Sequence, residues 1–92
     1  MNNIFKLLSE FIGTFILVGV ILMSGKPIAI GLGLITAIYL FGTISGGHFN
    51  PAVSTVMLFK NDIDIMLFLQ YVCAQILGGL VAYELYKATV KK

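Results

Sequence analysis

Charge is scarce in this chain. Of its 92 residues, 11% are Asp, Glu, Lys or Arg and 59% are hydrophobic, and the mean hydropathy is +1.01. A soluble domain of this size needs polar groups over most of its surface, which so few charges do not supply. A bilayer is the solvent that suits such a composition. Arginine is absent: the basic residues are Lys6, Lys26, Lys60, Lys87, Lys91 and Lys92, and the acids are Glu10, Asp62, Asp64 and Glu84. A net charge of +2, scattered in this way, excludes a nucleic-acid surface. The single cysteine, Cys73, excludes an intrachain disulfide and reads as a small packing residue in an apolar stretch. With one histidine and one cysteine there is no cluster with metal-ligand spacing. There is also no nucleotide-binding loop and no catalytic constellation, so the sequence predicts no metal, no cofactor, no pumping and no enzyme.

What is present is apolar length. Three segments, at about 7–23, 28–44 and 65–83, carry almost no charge. Each has the roughly 17–20 residues that span a hydrocarbon core of about 30 Å at 1.5 Å per residue. The first has the charge and apolar run of a signal peptide, but Glu10 intrudes and no small-x-small cleavage pattern lies near Ser24. Glycines at Gly13, Gly31, Gly33, Gly42, Gly78 and Gly79 fall within spans, where small residues let helices approach closely. Tyr83 and Tyr86 sit near a span end, where aromatic anchoring at the interface is usual.

The segment 45–59 is of a different kind. Gly46 and Gly47 permit a tightly turning backbone, Asn50 suits a helix N-cap and Pro51 the first helical position. Val53 to Phe59 continues apolar until Lys60-Asn61-Asp62 stops it. A helix from Pro51 to Phe59 rises roughly 13–15 Å, about half the core thickness. An extended glycine stretch followed by a half-length apolar helix predicts a re-entrant segment. Irregular backbone at membrane depth is tolerated only where protein buries it or a watery cavity meets it. The fold expected is therefore all-α: one unit over 1–92, with three transmembrane helices and one re-entrant half-helix, in a multi-pass membrane protein.

The run Ser45-Gly46-Gly47-His48-Phe49-Asn50-Pro51-Ala52-Val53 resembles the first pore loop of the aquaporin (major intrinsic protein) family. Glu10-Phe11-Ile12-Gly13-Thr14-Phe15 resembles that family's first-helix signature. Gly31-Leu32-Gly33 with Ala37-Ile38-Tyr39 resembles the second helix, particularly of the glycerol-facilitator branch, and Gln70-Tyr71 with Ala74-Gln75-Ile76-Leu77-Gly78-Gly79 resembles the third. A bare Asn-Pro-Ala is weak evidence; the flanking signatures in order make the resemblance specific. It implies half of an aquaporin-like fold and passive passage of water or small neutral solutes such as glycerol.

On this reading Asn50 caps the half-helix with its side-chain oxygen and turns its amide NH2 toward the pore, beside the positive end of the helix dipole. Channels of this type use such a device to exclude cations and protons. Ala52 lies at the same point, and the carbonyls of Gly46, Gly47, His48 and Phe49 form a ladder of acceptors. The plainer alternative is that Asn50 only caps a buried helix. Glu10 is costly at membrane depth. The resemblance implies that it supports the pore loop by accepting from the loop backbone, with snorkelling toward the interface as the alternative. Gln75 reads as a similar buried polar support. His48 either lines the pore mouth or holds the loop by hydrogen bonds.

The family's pore is made by two inverted repeats, and this chain carries the pattern of one. The expected partners are thus the lipid bilayer and a second half: another copy in an antiparallel pair, four pores then taking eight chains, or a complementary half-channel chain. Lys6 and Lys60 fall on one side of the membrane and Lys26, Lys87, Lys91 and Lys92 on the other. That weak asymmetry is compatible with insertion in both orientations. By motif offset the family's selectivity constriction maps to Ile30 from one copy and to Ile38, Gly47 and Val53 from the other. Val53 stands where the second repeat of the family carries an arginine, so the constriction is expected to be apolar. Alternatives from another class are a holin-like membrane lesion protein, which the composition and basic tail fit but the half-helix does not, and an inactive or split half-channel.

Overall fold

The computed structural model describes residues 3–90, which form four helices and no strand. These are α1 (Asn3–Met23), α2 (Pro27–Ser45), α3 (Pro51–Phe59) and α4 (Ile65–Thr89). Lys91 and Lys92, two of the four lysines assigned to their side, lie outside the described residues. Helices α1, α2 and α4 are each long and apolar enough to cross a membrane. The molecule is 42 Å long, close to the ~40–45 Å of a bilayer with its interfacial layers. The protein is therefore an all-α, multi-pass integral membrane protein.

The helix ends follow from local chemistry. Pro27 opens α2 after an extended Lys26, and Gly46 closes it in the left-handed conformation at φ 92°. Asp64 caps α4 by accepting from the Leu67 amide at 2.8 Å. Two spans outrun their apolar stretches. Helix α1 begins at Asn3, where Ile4 and Phe5 extend the apolar face. Helix α4 continues to Thr89 because Glu84, Leu85, Lys87 and Ala88 are good helix formers whatever their polarity. Lys87 pairs there with Glu84 at 3.0 Å and lies 4.8 Å over the Tyr83 ring.

Helix α1 is the central element, packed against both α2 and α4, while α3 packs against α4. The closest approach is at Gly78, where a Cβ would overlap the Phe11 carbonyl of α1. Gly33 of α2 fits against Val20 of α1 in the same manner. Polarity is inverted relative to a soluble domain. The largest fully buried side chains are Tyr71, Gln75, Glu10 and Ser54, whereas Tyr39 is 88% exposed, Phe59 82% and Ile28 77%. Apolar groups face lipid at no cost, and what needs burial is the polar set.

The Gly78 contact yields a test. Gly78→Ala drives a methyl into the α1 backbone and is expected to cost ~1–3 kcal/mol, read as a lower thermal or denaturant midpoint in detergent. Gly79→Ala, whose Cβ meets only Val18 at 3.6 Å, serves as the tolerated control.

Candidate functional site

Between α2 and α3 the chain turns sharply, with φ 92° at Gly46, 66° at Gly47 and 55° at Phe49. Glycine takes the first two without strain. Phe49 is a bulky residue at positive φ, a conformation held only where the surroundings over-determine it. Its ring is 2% exposed and rests on α1 at Gly13, where a Cβ would overlap it.

Glu10 of α1 holds the backbone of this turn. Its Oε2 accepts from the Ser45 hydroxyl at 2.7 Å and the His48 amide at 3.1 Å. Its Oε1 accepts from the Phe49 amide at 2.8 Å and the Gln75 side-chain amide at 2.9 Å. The residue is fully buried, so its carboxyl does not snorkel to the interface. Gln75 Nε2 donates a second time, to Ser54 Oγ at 2.9 Å, and Ser54 Oγ lies 2.8 Å from His48 Nδ1. Tyr71 donates to the Ser45 carbonyl at 2.6 Å and meets the His48 ring edge-on at 4.9 Å. Groups from all four helices and the turn thus form one buried network.

Asn50 caps α3: its Oδ1 accepts from the Ala52 amide at 2.8 Å, and Pro51 takes the first helical position. Asn50, Pro51 and Ala52 are exposed, at the positive end of the α3 dipole. The carbonyls of Gly46, Gly47, His48 and Phe49 accept no hydrogen bond from the described residues. Gly47 lies beside Ile38, whose side chain is 3.6 Å from where a Gly47 Cβ would stand. Ile30 is eight residues away along α2, about 12 Å of rise, so this chain alone does not bring it to Ile38, Gly47 and Val53.

In front of Asn50 and Pro51 lies an open groove of about 330 Å³. Its walls are Thr14 and Val18 of α1 and Gln75, Ile76, Gly79 and Leu80 of α4. Along both helices the groove residues lie beyond those that hold the turn, Glu10 on α1 and Tyr71 on α4. Two of these wall residues carry buried atoms, Thr14 Oγ1 and Gln75 Oε1, without a partner among the described residues.

Sequence reasoning did not single out Ser54, Tyr71 or the Ser45 hydroxyl. Ser54 had a signal, as a hydroxyl one turn beyond Asn50 in an apolar half-helix. Tyr71 had none, because its hydroxyl bonds a carbonyl 26 residues away.

Comparison with known proteins gives a consistent picture. Residues 1–92 match the family described as Major intrinsic protein. The chain is 47% identical over 94 residues to a glycerol uptake facilitator protein-like 6 of Lactiplantibacillus plantarum, covering 92% of this chain and 44% of that protein. It is 35% identical to an Aquaporin Z of Photorhabdus laumondii and 38% identical to one of Brucella melitensis, covering 84% of this chain and 40% of each. The chain thus spans about two fifths of the length of these relatives. No solved structure gives a significant match.

Glu10→Gln tests the anchor. A glutamine keeps one acceptor oxygen and turns an NH2 toward two donors, so two of the four bonds are lost. Hydrogen bonds to charged groups contribute about 1.5–3 kcal/mol each. Exchange of the His48 and Phe49 amides with deuterium is expected to quicken by at least about tenfold on that scale, while the amides of mid-α2 hold.

Proposed function

The chain belongs to the major intrinsic protein family, and from that premise we propose that it is one half of a passive channel for water or small neutral solutes such as glycerol. A second half repeat packed antiparallel completes it: another copy of this chain or a complementary one. The observation that carries this reading is the groove ahead of Asn50. Helix α3 is about half the length a membrane span needs, and ahead of its start lies an open trough two of whose wall residues, Thr14 and Gln75, carry buried oxygens without partners among the described residues. An inverted copy brings a half-helix of matching length from the opposite side. A two-fold axis lets one surface serve both partners.

In the assembled pore, solutes meet the carbonyls of Gly46, Gly47, His48 and Phe49 as acceptors, then the Asn50 NH2 as a donor beside Ala52. Two opposed half-helices place their positive ends at the midplane and raise the energy of a cation or a hopping proton there. Glu10 and Gln75 act from behind, fixing the loop. Ile30 from one copy, with Ile38, Gly47 and Val53 from the other, forms an apolar constriction without a fixed cation. Size then discriminates more than charge, which suits a solute as large as glycerol. The relatives' names, a glycerol uptake facilitator-like protein and Aquaporin Z, cover both solute types.

The test is reconstitution into liposomes. Swelling in water and glycerol is expected to exceed that of empty liposomes with proton leak unchanged; a folded oligomer that conducts nothing would overturn the homomeric pore. Asn50→Asp removes the NH2 donor and adds negative charge. It is expected to slow neutral solutes roughly two- to tenfold, the worth of one hydrogen bond at about 0.5–1.5 kcal/mol, and to raise cation leak. Cysteine crosslinks that form only between parallel chains would exclude the antiparallel pair.

A further inference from the structure

The hydroxyl of Ser54 is fully buried, and its hydrogen-bond partners are few. Its oxygen accepts from Gln75 Nε2 at 2.9 Å. The other near polar atom is His48 Nδ1 at 2.8 Å. Four other helical hydroxyls, those of Ser9, Thr36, Thr55 and Thr89, bond back to the carbonyl four residues earlier. Ser54 makes no such bond among the described residues, so its proton has one acceptor to go to, the ring nitrogen of His48.

The direction of the chain is set upstream. Gln75 presents its NH2 to Glu10 Oε1, an atom that also accepts the Phe49 amide. Turning the amide over would set its oxygen against the Glu10 oxygen, so Nε2 is fixed as the donor to both Glu10 and Ser54. If His48 carried its proton on Nδ1, Ser54 Oγ would receive two donors and its own proton would be stranded, a buried unsatisfied donor. On the scale of that penalty the Nδ1–H form is disfavoured by roughly tenfold or more.

We infer that Gln75 and Ser54 lock His48 as the neutral Nε2–H tautomer, and that this N–H is a donor site on the loop for a neutral oxygen acceptor, a water or a solute hydroxyl. Its surroundings fit. Nε2 lies against Gly46, 3.2 Å from where a Cβ would stand, a position whose φ of 92° favours glycine. The ring is 8% exposed. Nε2 has no partner among the described residues, yet it is not among the buried unpaired atoms Thr14 Oγ1, Gln70 Oε1 and Gln75 Oε1; it therefore reaches the surface. Along a stretch whose free backbone groups are the carbonyls of Gly46 to Phe49, it is an N–H among acceptors. Such a donor lets a hydroxyl that donates to a carbonyl accept at the same time. The tautomer stands on the network alone; naming pore water or solute as the partner rests on the channel reading.

The chain has one histidine, so ¹⁵N-histidine labelling of the full protein in liposomes gives a single ring. At pH 7 solid-state NMR is expected to show a directly bonded proton on Nε2 and none on Nδ1, with magnetisation passing from water to the Nε2 proton. A proton on Nδ1, or on both nitrogens, overturns the lock. No transfer from water, or transfer only from protein Cα protons, overturns the solute site. Ser54→Ala removes the relay and is expected to bring the Nδ1–H form from under about a tenth to a comparable share; an unchanged spectrum in a folded S54A variant overturns the role given to Ser54. If that variant fails to assemble, the wild-type spectrum still decides the tautomer. Liposomes that do not swell while the Nε2–H and its water contact persist would remove the channel reading and leave this one.

Discussion

The buried carboxylate of Glu10 is the point on which the rest of the structure depends. Its two oxygens collect donors from the end of α2, from two successive amides of the turn, and from the middle of α4. Each donor fixes something different. The Ser45 hydroxyl ties down the end of α2, the His48 and Phe49 amides set the turn that aims α3, and Gln75 holds α4 at the height where it reaches Ser54. In water such bonds would exchange with solvent. In a membrane interior they have no competitor, and leaving one unmade costs more than in a soluble core.

The apolar packing serves that arrangement. Gly13 removes the side chain that would collide with the Phe49 ring, and Gly78 lets α4 come up against the α1 backbone. Both glycines shorten the distance that the Glu10 bonds have to cross. Phe49 is held at positive φ from two sides, by its amide on the carboxylate and its ring on Gly13. Among the described residues some groups are left over: a row of unbonded carbonyls, and buried side-chain oxygens of Thr14, Gln70 and Gln75 without partners. The network is otherwise closed among the described residues, and Thr14 and Gln75 are also wall residues of the groove.

Much of this was legible in the sequence, for physical reasons. Spans announce themselves because lipid tolerates little charge, and α3 did so because Gly-Gly before Asn-Pro is a turn followed by a cap. Glu10 stood out as a charge where none is free. The end of α4 was less legible. Hydropathy fell after Tyr83, but helix formation depends on backbone preference, and Glu84 to Thr89 stay helical regardless. The central place of α1, and the roles of Ser54 and Tyr71, were not legible, because they depend on which helices meet. A serine in a helix normally satisfies itself locally. Only the fold reveals that Ser54 does not.

The distance in sequence between Glu10 and its partners bears on how the protein is made. Its partners follow it by 35, 38, 39 and 65 residues. At about 5–20 residues per second, Glu10 waits roughly 3–13 s before Gln75 is synthesised. A charged group at the centre of a lone span costs about 2.5–3.5 kcal/mol on insertion scales, and Glu10, the eighth of the 21 residues of α1, carries part of that cost. The first helix is therefore a poor membrane segment by itself and a good one only in company. Biogenesis must hold it at the insertion machinery, or let it sit unsettled, until the segments that satisfy its carboxylate have emerged.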